Sequence, residues 1–154
     1  MLIRFTRSGT RNRLTCVRRD GTFTQSDLGP RMPFHDLAHI VAERTLHIRE
    51  GFLGNIQRGY SIEELSSRET ILSLGPESRI SEVVARALQG LGSGSCTNKE
   101  FVELIKSELQ LYGIEDTLNI PDAVIEAMKN EYAALIEKWN ALGDGESLEV
   151  EWGQ

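Results

Sequence analysis

Apolar residues change their period twice along this chain. Residues 2–5 (LIRF), 13–19 (RLTCVRR) and 21–25 (GTFTQ) are short runs rich in β-formers. Asp20-Gly21 between the last two predicts a tight hairpin, because such a turn needs a positive φ that glycine accepts. RSGTRN turns the chain between the first two. Residues 1–26 therefore read as an antiparallel three-stranded meander, and SDLGPRMP leads out of it.

From Pro33 the period becomes helical. Proline suits a first helical turn, where its missing N–H has no partner to lose. The helix is expected to reach about Ile48, with Gly51 as its stop, and GFLGNIQRGY predicts a shorter one to about Gly59. Ser61 with Glu64, and Thr97 with Glu100, have the spacing of a capping box. Pro76 opens a helix with Ile80, Val83, Val84, Ala87 and Leu88 on one face, and another is expected over 98–112. Val124, Ile125, Met128, Tyr132, Leu135, Ile136 and Trp139 keep the three-four spacing of an amphipathic helix. SRETILSLGPESR reads as a lid or a plain connection, and LGSGSC as a flexible break.

At 147–152 (SLEVEW) the period returns to two, with Leu148, Val150 and Trp152 alternating against Glu149 and Glu151. A half-buried strand needs partners, and the meander is the only evident sheet. The expectation is an α+β fold in one domain over 1–154. The meander and the C-terminal strand form a small antiparallel sheet, packed with about five helices across 33–142.

Composition narrows the class. A chain of 154 residues suits a single core, and 40% hydrophobic with 26% charged residues argues for a globular chain rather than a disordered one. No apolar run approaches the roughly 18 residues that span a bilayer, so no membrane role is expected. The first residues lack the apolar centre of a secretory signal, so a cytoplasmic location is expected. Cys16 and Cys96 form no C-x-x-C pair, which excludes a zinc ribbon and a thioredoxin-like site. Cys16 reads as a small buried residue. Cys96 precedes a helix start but has no histidine nearby in sequence, so it is not read as a nucleophile.

The net charge of -6 is unevenly spread, with every arginine at or before Arg86 and every lysine at or after Lys99. Arg11, Arg13, Arg18 and Arg19 crowd the meander. They are candidates for contact with nucleic acid or another anion. The favoured reading is structural, with these arginines facing Glu149 and Glu151 of the joining strand, so nucleic acid is not the expected partner. Homo-oligomerisation stays open.

All three histidines fall within residues 32–47, MPFHDLAHIVAERTLH. On a helical wheel His35, His39 and Glu43 fall within about 80° of one another, beside the apolar face. Histidines four apart bring both rings to one point, which suits a shared divalent ion such as zinc, manganese or iron. His35 and Glu43 are about 12 Å apart along the axis, so Glu43 is read as an acceptor that orients His39 rather than as a ligand. Ala42 and Leu46 would wall the site. Asp36 points away from the pair on the wheel and is read as a first-turn acid suited to the helix dipole, or as a residue that orients a ligand or relays a proton. His47 is expected to be separate and solvent-facing. A third ligand must come from elsewhere: Glu63, Glu64, Glu69 or a later acid.

Two known patterns are excluded. The metalloprotease helix has glutamate directly after its first histidine, where this chain has Asp36. The His35-Asp36 doublet is similar to that of HD phosphohydrolases, which need a histidine upstream of the doublet, and His35 is the first in the chain. The segment 32–65 resembles a signature of small bacterial proteins of uncharacterised activity. Its residues here are Pro33, His35, Asp36, His39, Glu43, Gly51, Phe52 and Gly54. The resemblance implies that these residues belong together and names no reaction. The functional expectation is a metal or polar site on this helix, in the form of a metal-dependent hydrolase. The alternative is a binding or interaction module with structural histidines.

Overall fold

The computed structural model describes residues 1–115 and 118–153 and, at Met32, the backbone alone. Four strands form one antiparallel sheet: β1 (Leu2–Thr6), β2 (Asn12–Val17), β3 (Phe23–Leu28) and β4 (Ser147–Glu151), in the order β3-β2-β1-β4. The alternation of SLEVEW thus finds its partner in β1, with Ile3 opposite Val150 and Phe5 opposite Leu148. Ile3, Phe5, Leu14, Cys16 and Leu148 turn one face of the sheet into the core. The β2–β3 hairpin is wider than a two-residue turn. Arg18 and Thr22 close a three-residue loop by a 2.8 Å backbone bond, and Gly21 takes the positive φ of 85° that the loop requires.

Seven helices lie among the described residues: α1 (Met32–Thr45), α2 (Phe52–Gln57), α3 (Ile62–Leu65), α4 (Arg68–Ser73), α5 (Pro76–Gly92), α6 (Asn98–Leu111) and α7 (Asp122–Asn140). The count exceeds the expected five because side-chain caps support very short helices. Ser61 and Glu64 cap α3 reciprocally, and the Ser67 side chain accepts the Thr70 N–H at the start of α4. The stretch read as a lid or connection therefore contains a helix of its own. None of the helices among the described residues is long and apolar enough to cross a membrane.

α1 ends at Thr45, three residues short of expectation. His47 takes a left-handed φ of 54°, and the Ile48 N–H reaches back to the Glu43 carbonyl at 3.0 Å. That is a helix-closing geometry usually built on glycine, and it leaves the His47 side chain exposed. α1 packs against α5 on one side and α7 on another, and its apolar residues Leu37, Ile40 and Val41 join the core of the sheet. Phe5 of β1 meets Trp139 of α7 edge-on at 6.5 Å. The seam between α1 and α5 is where polar side chains of two distant segments meet.

The meander arginines take a different arrangement from the expected one. β1 lies between β4 and β2, so Arg4 rather than any β2 arginine faces Glu149, at 2.6 Å. Arg13 pairs with Asp27 at 3.2 Å, and Arg18 donates to the carbonyls of Ile56 and Tyr60 at 2.6 and 2.7 Å, tying the sheet to α2. Arg11 precedes β2 while Arg18 and Arg19 follow it, so the strand's length of about 20 Å separates them. The four do not form one patch.

Candidate metal centre

α1 is buried all round, since every residue from Asp36 to Glu43 is buried. Its polar residues therefore need partners inside the protein. Glu43 is fully buried, and its carboxylate accepts the backbone N–H groups of Leu53 and Gly54 at 3.1 and 3.2 Å and the Ser81 hydroxyl at 2.7 Å. The His39 Nδ1 lies 3.2 Å from Glu43 Oε1 and 2.9 Å from Ser81 Oγ. The Ser81 proton already goes to Glu43, and a carboxylate only accepts. Nδ1 of His39 must then carry its hydrogen and donate it, which leaves Nε2 with a free lone pair.

His35 follows the same logic. Its Nδ1 faces the Gln89 side-chain oxygen at 3.1 Å, so Nδ1 is the donor and Nε2 again offers a lone pair. The two Nε2 atoms stand 3.1 Å apart, and Glu82 Oε2 lies 3.3 Å from each. Arg86 holds the other oxygen of Glu82 at 3.3 Å and so aims Oε2 at the histidines. Ligand atoms about 2.1 Å from a shared ion stand about 3.0–3.4 Å apart in octahedral or tetrahedral directions. His35, His39 and Glu82 thus match the spacing of three ligands on one ion, and they form a group whose ligand atoms all lie within 4.8 Å of one another.

The electrostatics express the same convergence. Burial works against a charged His39, yet hydrogen bonds and attraction from Glu43 and Glu82 outweigh it and lift its pKa to about 9. Burial pushes Glu82 up, but the two histidines more than offset it and hold the carboxyl well below its usual range. Two facing lone pairs and a carboxylate call for a cation between them. In the bare protein a proton answers that call.

Asp36 departs from its expected place. A wheel divides a helix into a dry side and a wet side, but α1 is covered on all sides, so Asp36 is buried and lies beyond the first turn of the helix. Its Oδ2 has no hydrogen-bond partner. Burial raises its pKa to about 6, with the histidines pulling it down and Glu82 pushing it up. Asp36, His35, His39 and Glu82 all line one cavity of about 560 Å³. Its walls are not the expected Ala42 and Leu46. Phe52 lies 5.2 Å from the His39 ring, and Ile62, Leu65, Ile71 and Leu74 complete the apolar side. Glu63, Glu64 and Glu69, offered by the sequence as further ligands, are not in the metal-ligand group or the cavity lining.

Comparison with protein-family models, with curated proteins and with solved structures finds no match, so the site is read from its own geometry. Among the 32–65 residues singled out above, His35, Asp36, His39 and Phe52 line the cavity, and Glu43 lies against His39. Gly51 and Gly54 are small because Glu43 and the Arg49 carbonyl occupy the space a side chain would need. Glu82 is one of the later acids left open as a third ligand, which the sequence could not single out, and Ser81 and Gln89 lay beyond sequence reasoning. Glu82, Arg86 and Gln89 follow one another at helical spacing on α5, but nothing within that helix says which other helix it faces.

Proposed function

We propose that the protein is a metal-dependent hydrolase whose divalent ion sits between His35, His39 and Glu82. The observation that carries this reading is the triangle of two Nε2 lone pairs and one carboxylate oxygen at 3.1 and 3.3 Å on the wall of a cavity. Zinc, manganese and iron all accept such a nitrogen and oxygen set. A bound ion there would act as a Lewis acid and lower the pKa of a bound water. Glu43, Ser81 and Gln89 fix the ring orientations, and Arg86 fixes Glu82. Asp36 supplies an unpaired acceptor in the same cavity, suited to taking a hydrogen bond from water or from a substrate N–H or O–H. The same ligand types also serve oxygen-activating iron, but Asp36 favours hydrolysis, which needs a group to handle the proton of water. The signature over 32–65 is then the fingerprint of this site in the bacterial proteins it resembles.

Calorimetric titration of zinc, manganese and ferrous iron into untagged protein tests the reading. One ion per chain is expected, with binding lost in His35→Ala, His39→Ala and Glu82→Ala and unchanged in His47→Ala. Failure of the wild type to bind any of the three tightly would end the metal reading.

The pH dependence carries a sign. His39 holds its proton up to about pH 9, so an incoming ion must displace that proton. Apparent affinity should rise about tenfold per pH unit between the unperturbed histidine value near 6.5 and about 9. Metal-free stability should move the other way. A raised histidine pKa stabilises the fold fully below about 6.5, and that contribution is lost as pH rises through about 9. Asp36, raised to about 6, adds an earlier fall of its own, as pH rises from its ordinary value near 3.8 through about 6. Urea unfolding of metal-free protein at a series of pH values checks this. A metal-free stability that climbs from pH 6 to pH 9 would contradict the histidine network.

A further inference from the structure

Along α5 the cavity wall presents Arg79, Glu82, Val83 and Arg86 in turn. Arg79 stands three residues before Glu82 and Arg86 four after, so both leave α5 on the same helix face as the ligand carboxylate. Their commitments differ. Arg86 is neutralised, with Nε 3.3 Å from Glu82 and Nη2 3.1 Å from Glu108. Arg79 pairs with no carboxylate among the described residues. Its guanidinium lies over the Tyr112 ring at 4.7 Å, and both residues line the cavity.

A ring face holds a guanidinium in place without neutralising it, and leaves the planar N–H fork open at its edges. That fork matches the two oxygens of a carboxylate or phosphate. Phe52, Ile62, Leu65, Ile71 and Leu74 give the cavity an apolar side, and the Asp27 carboxylate that also lines it is paired with Arg13 at 3.2 Å. A cavity of about 560 Å³ takes a small molecule rather than a folded partner.

We infer that the cavity binds a small amphipathic anion, whose carboxylate or phosphate is held by Arg79 and whose apolar body lies on the Ile71–Leu74 wall. Resting on the metal reading above, it places the substrate's reacting group toward His35, His39 and Glu82. Arg79 is then the residue that selects charge.

The test uses zinc-loaded full-length protein and three probes: phenylacetate, phenyl phosphate and the neutral phenylacetamide. Binding is followed by calorimetry, and zinc content is measured on the same samples. At least one anion is expected to bind about tenfold or more tightly than the amide. The better of the two anions identifies the headgroup. Arg79→Gln should remove that preference while leaving amide affinity, zinc content and melting temperature unchanged, and Arg79→Lys should restore part of it. Equal binding of anions and amide by the wild type, or an anion preference that survives Arg79→Gln, overturns the inference. Zinc bound without an anion preference overturns the inference alone. An Arg79-dependent preference in protein that takes up no zinc supports the anion site and removes the metal reading.

Discussion

Glu43→Ala should cost about 3–5 kcal/mol of folding stability, the usual scale for removing one partner of a buried charged network. The carboxylate is fully buried and serves four donors at once: two backbone N–H groups of α2, the Ser81 hydroxyl and the His39 ring. Its loss leaves the two backbone N–H groups unpaired and leaves His39 and Ser81 only each other, 2.9 Å apart, at about 1–3 kcal/mol for each unpaired buried donor before relaxation. Glu43→Gln keeps the shape and one acceptor oxygen, so it should lose less stability. It should still weaken metal binding about 10- to 100-fold, because His39 is no longer held in a single tautomer. Urea midpoints together with metal titration separate the two effects. An alanine variant as stable as the wild type would show that Glu43 does not hold α1, α2 and α5 together.

Much of the frame was legible because it depends on local periods. The two-residue alternation of SLEVEW identified β4 and left the meander as its only partner, while the choice of β1 as its neighbour and the register, with Phe5 opposite Leu148, came only with the folded sheet. Helices α5, α6 and α7 announced themselves by apolar spacing and by proline or capping residues. α4 did not, since it buries no residue and so carries no apolar stripe to detect. Within the site, the His35–His39 pair was visible as a four-residue spacing on one helix. Glu82 was not, because its place depends on how α5 lies along α1, which is a tertiary fact. Asp36 misled for a related reason. The wheel assumes a wet side, and α1 has none from Asp36 to Glu43. Arg13 of β2 and the arginines that flank that strand were misjudged because β1 lies between β2 and the acids of β4.

Gly51→Ala and Gly54→Ala should each destabilise the fold by about 1–3 kcal/mol or more, the cost of forcing atoms into a filled site, but they should do so differently. A Cβ at Gly54 would lie 2.0 Å from the Arg49 carbonyl oxygen, which is backbone and cannot swing aside. The α1–α2 connection would have to move as a whole, so this variant should lose the most stability. A Cβ at Gly51 would lie 2.4 Å from the Glu43 carboxyl carbon. A side-chain end normally yields at little cost. This one is pinned by its hydrogen bonds to Leu53, Gly54, Ser81 and His39, so moving it breaks the support of the histidine. Gly51→Ala should therefore lose metal affinity out of proportion to its loss of stability, resembling Glu43→Gln in the titration, whereas Gly54→Ala should retain the affinity of whatever fraction stays folded. Comparing urea midpoints and metal affinities of the two variants decides the matter. Equal metal affinity in the wild type and folded Gly51→Ala would mean that Glu43 can shift freely, and the structural basis offered here for its hold on His39 would fail.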